Sequence, residues 1–395
     1  MKTKSLVHLS GLLLLCLFAT PSHSAIFSVR PLGDLVAEAD LVAVGEIVEI
    51  HRGRGGNNSS YILFIADELL KGEPISGPLS MRVEGLDSAS EIGAEAMAQI
   101  ERGFIGKRSL IFATITGDGS LSLLPFVQYS GTDARSGDFM SSLTNYVLTT
   151  DQAASQPLLE FQPGDDEFTK TVKELATIVA YSGETFAQHL LMPLAWDRAA
   201  GDVAEVAFEA MRASNKTTGI VKGTTGLMAL GGVAGARALS EAWEQSETRE
   251  LIAAQLGFLE DNYRSTDPEG IAILSKWLSP DTSPDLRAAA AGALARIHTA
   301  AATVELGDAF LSTSDFQVQW RAVGGLAMFA NSVPIGGGGP DGESSRFSTA
   351  ETMQNSAYDE EYTRARPNLI NFWKNWWVTN QQAIHELAAE TTQAP

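Results

Sequence analysis

The residue types able to serve as nucleophile, general base or metal ligand are sparse in this chain, and their spacing completes none of the common catalytic constellations. His385-Glu386 opens as a zinc-peptidase helix would, but the second ligand belongs one turn further on, where Ala389 stands. Gly53-x-Gly55 follows a strand-like run ending at Ile50, where a dinucleotide fingerprint would sit. Position 58 is Asn58, however, and the next segment is strand-like, so no helix N-terminus follows to receive a phosphate. We expect a hairpin tip there. The run Gly103 to Ser109 has glycines too close for a P-loop, and Arg108 occupies the position of the magnesium-binding hydroxyl, so it is expected to turn into a strand. Neither G-x-S-x-G nor S-x-x-K occurs. The clusters Asp165-Asp166-Glu167 and Asp359-Glu360-Glu361 lack the alternating oxygen ligands and glycine of a calcium loop and lie in segments of linker composition. His51, His189, His298 and His385 are scattered and are expected to be structural. No catalytic, cofactor-binding or metal-ligating residue is therefore assigned from the sequence, and no cofactor is expected.

The polar residues sit in a chain of 395 residues with 48 Asp+Glu against 28 Lys+Arg, a net charge of −20. That balance argues against nucleic acid and anionic lipid, both of which are recognised chiefly by Lys and Arg. Lys2 and Lys4 precede an apolar stretch from Leu12 to Ala19, followed by Pro21, Ser22 and Ser24, the order of a secretory signal. Cleavage after Ser24 is expected, leaving an exported chain, periplasmic or secreted, with no integral membrane segment. The single Cys, Cys16, leaves with the signal, and so do Lys2 and Lys4, which takes the net charge to −22. Disulfides, thiol nucleophiles and Cys-ligated metals are then excluded from the mature protein.

Two periodicities divide what remains. From about 25 to 150 the pattern is strand-like: Leu41 to Ile50 alternates, Tyr61 to Ala66 is β-rich, Leu79 to Glu84 is short, and Arg108 to Ile115 runs through Asp118-Gly119 into Leu121 to Gln128. Asp-Gly supplies the positive backbone angles of a tight hairpin. Five short strands and one helix over 88–101 suffice for a small β-barrel of the OB type. The stretch "ADLVAVGEIVEI … ADELLKGE … LSMRVEG … GKRSLIFATI" is similar to a small β domain that follows the signal peptide in many exported bacterial proteins of unknown function. The resemblance covers about the first third of the chain and implies a fold, not a site.

Residues 151–167 lose periodicity and form the expected linker. Beyond it helices are expected over Phe168–Tyr181, Asp202–Ala213, Thr217–Leu230, Gly235–Glu244, Glu247–Tyr263, Pro268–Leu278, Pro284–His298, Thr303–Leu311 and Phe316–Ala330. Arg249, Arg287 and Arg321 stand near helix starts, 38 and 34 residues apart, within the roughly 34–47 residues of two-helix repeats. Leu256, Leu294 and Met328 follow each of them by two turns, on the same face. The segment from Asp285 to Leu294, with its acid, Arg and small-residue run, resembles a HEAT-repeat helix. That resemblance implies an α-solenoid over 168–331, with Arg287 bonding an acid or carbonyl in the neighbouring turn.

A Gly-rich loop region is expected over 332–366, and a capping helix and tail over 367–395, with Pro367 in the first turn. Trp373, Trp376 and Trp377 fall on one face, either as a cap over the solenoid end or as an aromatic surface. As a cap, truncation of Trp376 should cost about 3–5 kcal/mol.

The fold class read from the sequence is thus α+β multidomain: a small β-barrel followed by an all-α HEAT-like solenoid with a Trp-rich cap. The function it suggests is an exported, non-catalytic scaffold that binds a protein partner and no nucleic acid. The competing reading is an extracytoplasmic hydrolase or lyase with carboxylates gathered where barrel and solenoid meet.

Overall fold

A computed structural model describes residues 26–51, 60–74, 77–83, 102–130, 143–150, 157–182, 185–330 and 360–393. The expected signal segment, the hairpin tip at 53–55, the helix over 88–101 and the Gly336 to Gly339 loop lie outside the described residues.

Strand β1 (Ile26–Val29) and helix α1 (Leu32–Glu38) precede β2 (Leu41–His51), β3 (Tyr61–Lys71), β4 (Leu79–Arg82), β5 (Arg108–Ile115) and β6 (Leu121–Leu123). The last five close a barrel in the order β2-β3-β4-β6-β5, with β5 returning to β2. All its pairings are antiparallel except β4–β6. The Asp118-Gly119 hairpin forms as expected, with the Thr116 N–H donating to Ser120 O at 2.8 Å and Gly119 at φ +81°. The run expected as one strand to Gln128 breaks after Leu123. Pro125 has no N–H for a ladder, and β7 (Val127–Ser130) leaves the barrel to pair with β1, while β8 (Val147–Thr150) joins the lower half of β5.

The run Leu41–Val44 does not alternate in burial, because both faces of β2 are covered. Leu41, Ala43 and Ile47 fill the barrel with Ile62, Phe64 and Ile111. Val42 and Val44, together with Leu110, Phe112 and Leu148, point the other way into a second core that they share with α1 and the first helices of the C-terminal region. A continuous apolar run is the pattern of a strand buried on both sides.

The C-terminal region is all-α. Its helices are α2 (Glu167–Ser182), α3 (Thr185–Leu191), a 3₁₀ turn (Met192–Trp196), α4 (Gly201–Ala213), α5 (Thr217–Leu230), α6 (Val233–Trp243), α7 (Ser246–Ala253), α8 (Leu256–Asn262), α9 (Pro268–Trp277), α10 (Pro284–Ala295), α11 (Ala300–Ser312), α12 (Phe316–Ala330) and α13 (Glu360–Gln393). Local chemistry sets several starts. Asp267, Ser283 and Thr299 each accept a backbone N–H as N-caps, and Pro268 and Pro284 occupy the first turns they precede. The helix expected over Glu247–Tyr263 is broken, since Gln255 N–H bonds back to Ile252 O at 2.8 Å and ends α7. Helix α13 begins at Glu360, inside the stretch expected as loop, so Pro367 lies within the helix rather than in its first turn.

Nine of these helices lie in two rows. In one, α2, α5, α8, α10 and α12 are successive neighbours; in the other, α6, α9, α11 and α13 are, and rungs such as α5–α6, α10–α11 and α12–α13 join the rows. Among the described residues no helix is long and apolar enough to cross a membrane.

Candidate functional site

Three features of this architecture gather polar or apolar groups that local sequence does not bring together: the seam between barrel and helices, the links along each row, and a cleft in the second row.

At the seam, Arg108 opens β5 and Glu174 lies mid-way along α2, which packs against β8. The guanidinium donates from Nε to Oε1 at 2.8 Å and from one terminal nitrogen to Oε2 at 2.9 Å. Glu174 is 0% exposed and Arg108 15%. The bidentate bond holds the Arg108 pKa above its ordinary value against the opposing effect of burial, with Glu68 and Asp67 adding to the same direction. Burial pushes the Glu68 carboxyl up, with Arg108 acting against it. Glu174 therefore has both oxygens committed and no surface to offer a substrate, and its geometry is that of a strut. Beside it, stretch 158–165, expected as part of a linker, is fastened to α2: the Leu158 N–H donates to Thr177 Oγ1 at 3.0 Å, and Lys173 Nζ donates to Asp165 Oδ2 at 2.6 Å.

Along the helical region, an arginine or hydroxyl of one helix repeatedly bonds an acid of another. Arg212 of α4 meets Glu241 of α6, and Arg237 of α6 meets Glu269 of α9 at 2.9 Å. Ser275 of α9 donates to Glu305 of α11. In the first row, Arg296 at the end of α10 meets Asp261 of α8 at 3.0 Å, and Arg287 of α10 meets Asp315, just before α12, at 2.8 Å. Burial works against the Asp315 carboxylate, but Arg287 and the backbone N–H groups of Gln317 and Val318 outweigh it and hold its pKa below the ordinary range. The longest reach is Arg321 of α12, which clasps both oxygens of Glu260 of α8 at 2.8 Å across the intervening α10.

That crossing depends on Gly292, where an added Cβ would stand 2.5 Å from Glu260 Cγ. An alanine in a helix interior normally gains about 1 kcal/mol over glycine. We expect Gly292→Ala to forfeit that gain in the native background and to show it when Glu260 is also alanine. Thermal unfolding of the single and double variants checks this.

The residues singled out by the repeat spacing divide accordingly. Arg287 bonds Asp315 before the next helix and Pro280 O at 2.9 Å, whereas Arg321 reaches past α10 to Glu260. Arg249 bonds only Trp243 O, at 2.8 Å, and belongs to α7, outside the row of α8, α10 and α12. Leu256 and Leu294 are buried, but Leu256 opens α8 instead of continuing Arg249's helix, and Met328 is 38% exposed because Phe329 takes the core position. Trp373 and Trp377 are buried at 1% and 0% exposure, packed with the helical core, while Trp376 is only partly buried. The large truncation cost expected at Trp376 therefore passes to Trp377.

No protein-family model matches the chain, and no curated protein or solved structure is significantly similar to it.

The four described histidines stay apart. His51 stacks on Tyr61 with ring centroids 4.4 Å apart, His298 Nε2 lies 3.0 Å from Met328 O, and His385 lies 3.5 Å from Asp308. Burial lowers the His189 pKa, with Lys222 adding to the effect. Among the described residues no group of three His, Cys, Asp or Glu could hold a metal ion.

The third feature is a cleft of about 520 Å³ between α9, α11 and the end of α13. Ile271, Ala272, Val304, Ala388 and Ala389 form apolar walls, and among the described residues Glu305 is the one ionisable residue lining it. Sequence reasoning gave no sign of it, because its walls come from three helices spread over more than a hundred residues.

Proposed function

We propose that the chain is an exported, non-catalytic scaffold that binds a protein partner through a HEAT-like solenoid, with an OB-type barrel fused to one end and the Trp-bearing helix capping the other. The observation that carries this reading is the pair of helix rows, of which the first is packed from neighbour to neighbour and the second only loosely between α9 and α11. Such stacking leaves long outer faces on both rows, the surface by which solenoids hold extended partners. The barrel order β2-β3-β4-β6-β5, closed through β2–β5 with β4 and β6 parallel, supports the OB assignment. The n, h and c pattern of the first 24 residues supports export, to periplasm or medium. The commitment of Glu174 to Arg108 weighs against the seam as a carboxylate catalytic site.

The test is crosslinking of the whole mature chain, residues 25–395, in extract of its own envelope and medium, with the crosslinked peptides mapped. A stoichiometric protein partner attached through Lys216, Lys222 or Lys276, which lie along the helical region, is the expected result. Attachment confined to Lys71 and Lys107 of the barrel, or no stoichiometric partner, would remove the solenoid from the binding role.

A further inference from the structure

The cleft between α9, α11 and α13 interrupts an otherwise closely packed row. The pairs α6–α9 and α11–α13 are in closer contact, but α9 and α11 make only a slight one, and the space between them opens outward. Its floor and walls are apolar and largely alanine, so an occupant can approach the helix backbones closely. Its volume of about 520 Å³ lies within the roughly 300–1,000 Å³ of small-ligand sites. None of the lining residues is Lys, Arg or His, and Glu305 stands in the wall with its carboxylate accepting from Ser275 Oγ. No described cation pairs with Glu305, in contrast to Glu241, Glu260 and Glu269, each of which meets an arginine. Three threonines, Thr266, Thr299 and Thr391, complete the polar lining.

We infer that this cleft is a binding site for a small organic cation with an apolar body, its ammonium paired with Glu305 and its hydrocarbon part against Ile271, Val304 and the alanine walls. Charge complementarity selects the sign, since a carboxylate in an apolar wall with no cation of its own favours an amine over an acid of the same shape. The site is independent of the scaffold reading.

The experiment titrates three probes of one shape, 4-phenylbutylamine, 4-phenylbutan-1-ol and 4-phenylbutanoate, into the whole mature chain by calorimetry and ligand-observed NMR. The amine is expected to bind at least about tenfold more tightly than the carboxylate, a difference of about 1.4 kcal/mol. Glu305→Gln should bring amine and alcohol to equal affinity. Ala272→Phe, at an exposed position of the wall, should abolish binding of every probe while circular dichroism and melting stay unchanged. The inference is overturned if the carboxylate binds as well as the amine, if Ala272→Phe leaves amine binding intact, or if the amine does not bind at up to about 10 mM, where a site of this kind would be occupied.

Discussion

Replacing Glu174 by alanine is expected to destabilise the protein by about 3–5 kcal/mol, because it strips the largely buried Arg108 guanidinium of its bidentate partner and leaves only the more distant Glu68 and Asp67. The magnitude follows from the geometry: two hydrogen bonds of 2.8 and 2.9 Å to a carboxylate that is 0% exposed. Arg108→Ala should cost a similar amount, now by stranding Glu174. The sharper expectation concerns the pair replaced together. Arg108→Met with Glu174→Leu removes both desolvation costs and fills the seam with apolar volume, so most of the loss should be recovered. Measured in urea, the single variants should shift the midpoint strongly and the double variant little. Because the seam joins the barrel to the helices through one shared core, the single variants should also let the two parts melt separately. A single variant that unfolds like the native protein would mean that the pair is not structurally coupled.

Trp377→Ala carries the second large effect, about 3–5 kcal/mol for truncating a fully buried Trp. Trp377 is 0% exposed and its ring lies over Gly307 of α11, where an added Cβ would come within 2.3 Å of the indole. Gly307→Ala is therefore expected to be destabilising in the native background, by about 1–3 kcal/mol as overpacking usually is. It should be nearly neutral once Trp377 is alanine, because the obstruction is gone. A thermal double-mutant cycle reads this coupling directly. Trp376→Ala should have the smaller effect, since Trp376 sits at the edge of the core. Equal effects at Trp376 and Trp377 would contradict the placement of α13 on α11.

The arginines show how far the repeat spacing could be read. Arg287 was legible as a helix-start residue that bonds an acid or carbonyl close by, and it reaches Pro280 O and Asp315, whereas Arg321 bonds past its neighbouring helix. Arg249 satisfied the same spacing but fell on α7, because the chain turns at Gln255 without the Gly or Pro that would have marked the break. The partner of Arg321 was not legible at all. Glu260 is 61 residues away, and only the side-by-side placement of α8, α10 and α12, with Gly292 beneath the bridge, brings the two together.

The sequence by itself determined what depends on residues within a turn or two of each other. Helix starts at Asp267 and Ser283, the Asp118-Gly119 hairpin, and the change from strand to helical period near residue 167 all follow from local hydrogen bonds and apolar spacing, whereas the helix expected from Thr303 starts a turn earlier, on the Thr299 cap. The tertiary structure decided what closes over long loops. It buried β2 and β5 on both faces, paired Arg108 with Glu174 across 66 residues, seated Trp377 on Gly307, and opened the cleft beside Glu305. A side chain carries in its own neighbourhood the cost of being buried or charged, but not the identity of the distant group that offsets it, and that identity is fixed only when the layers pack.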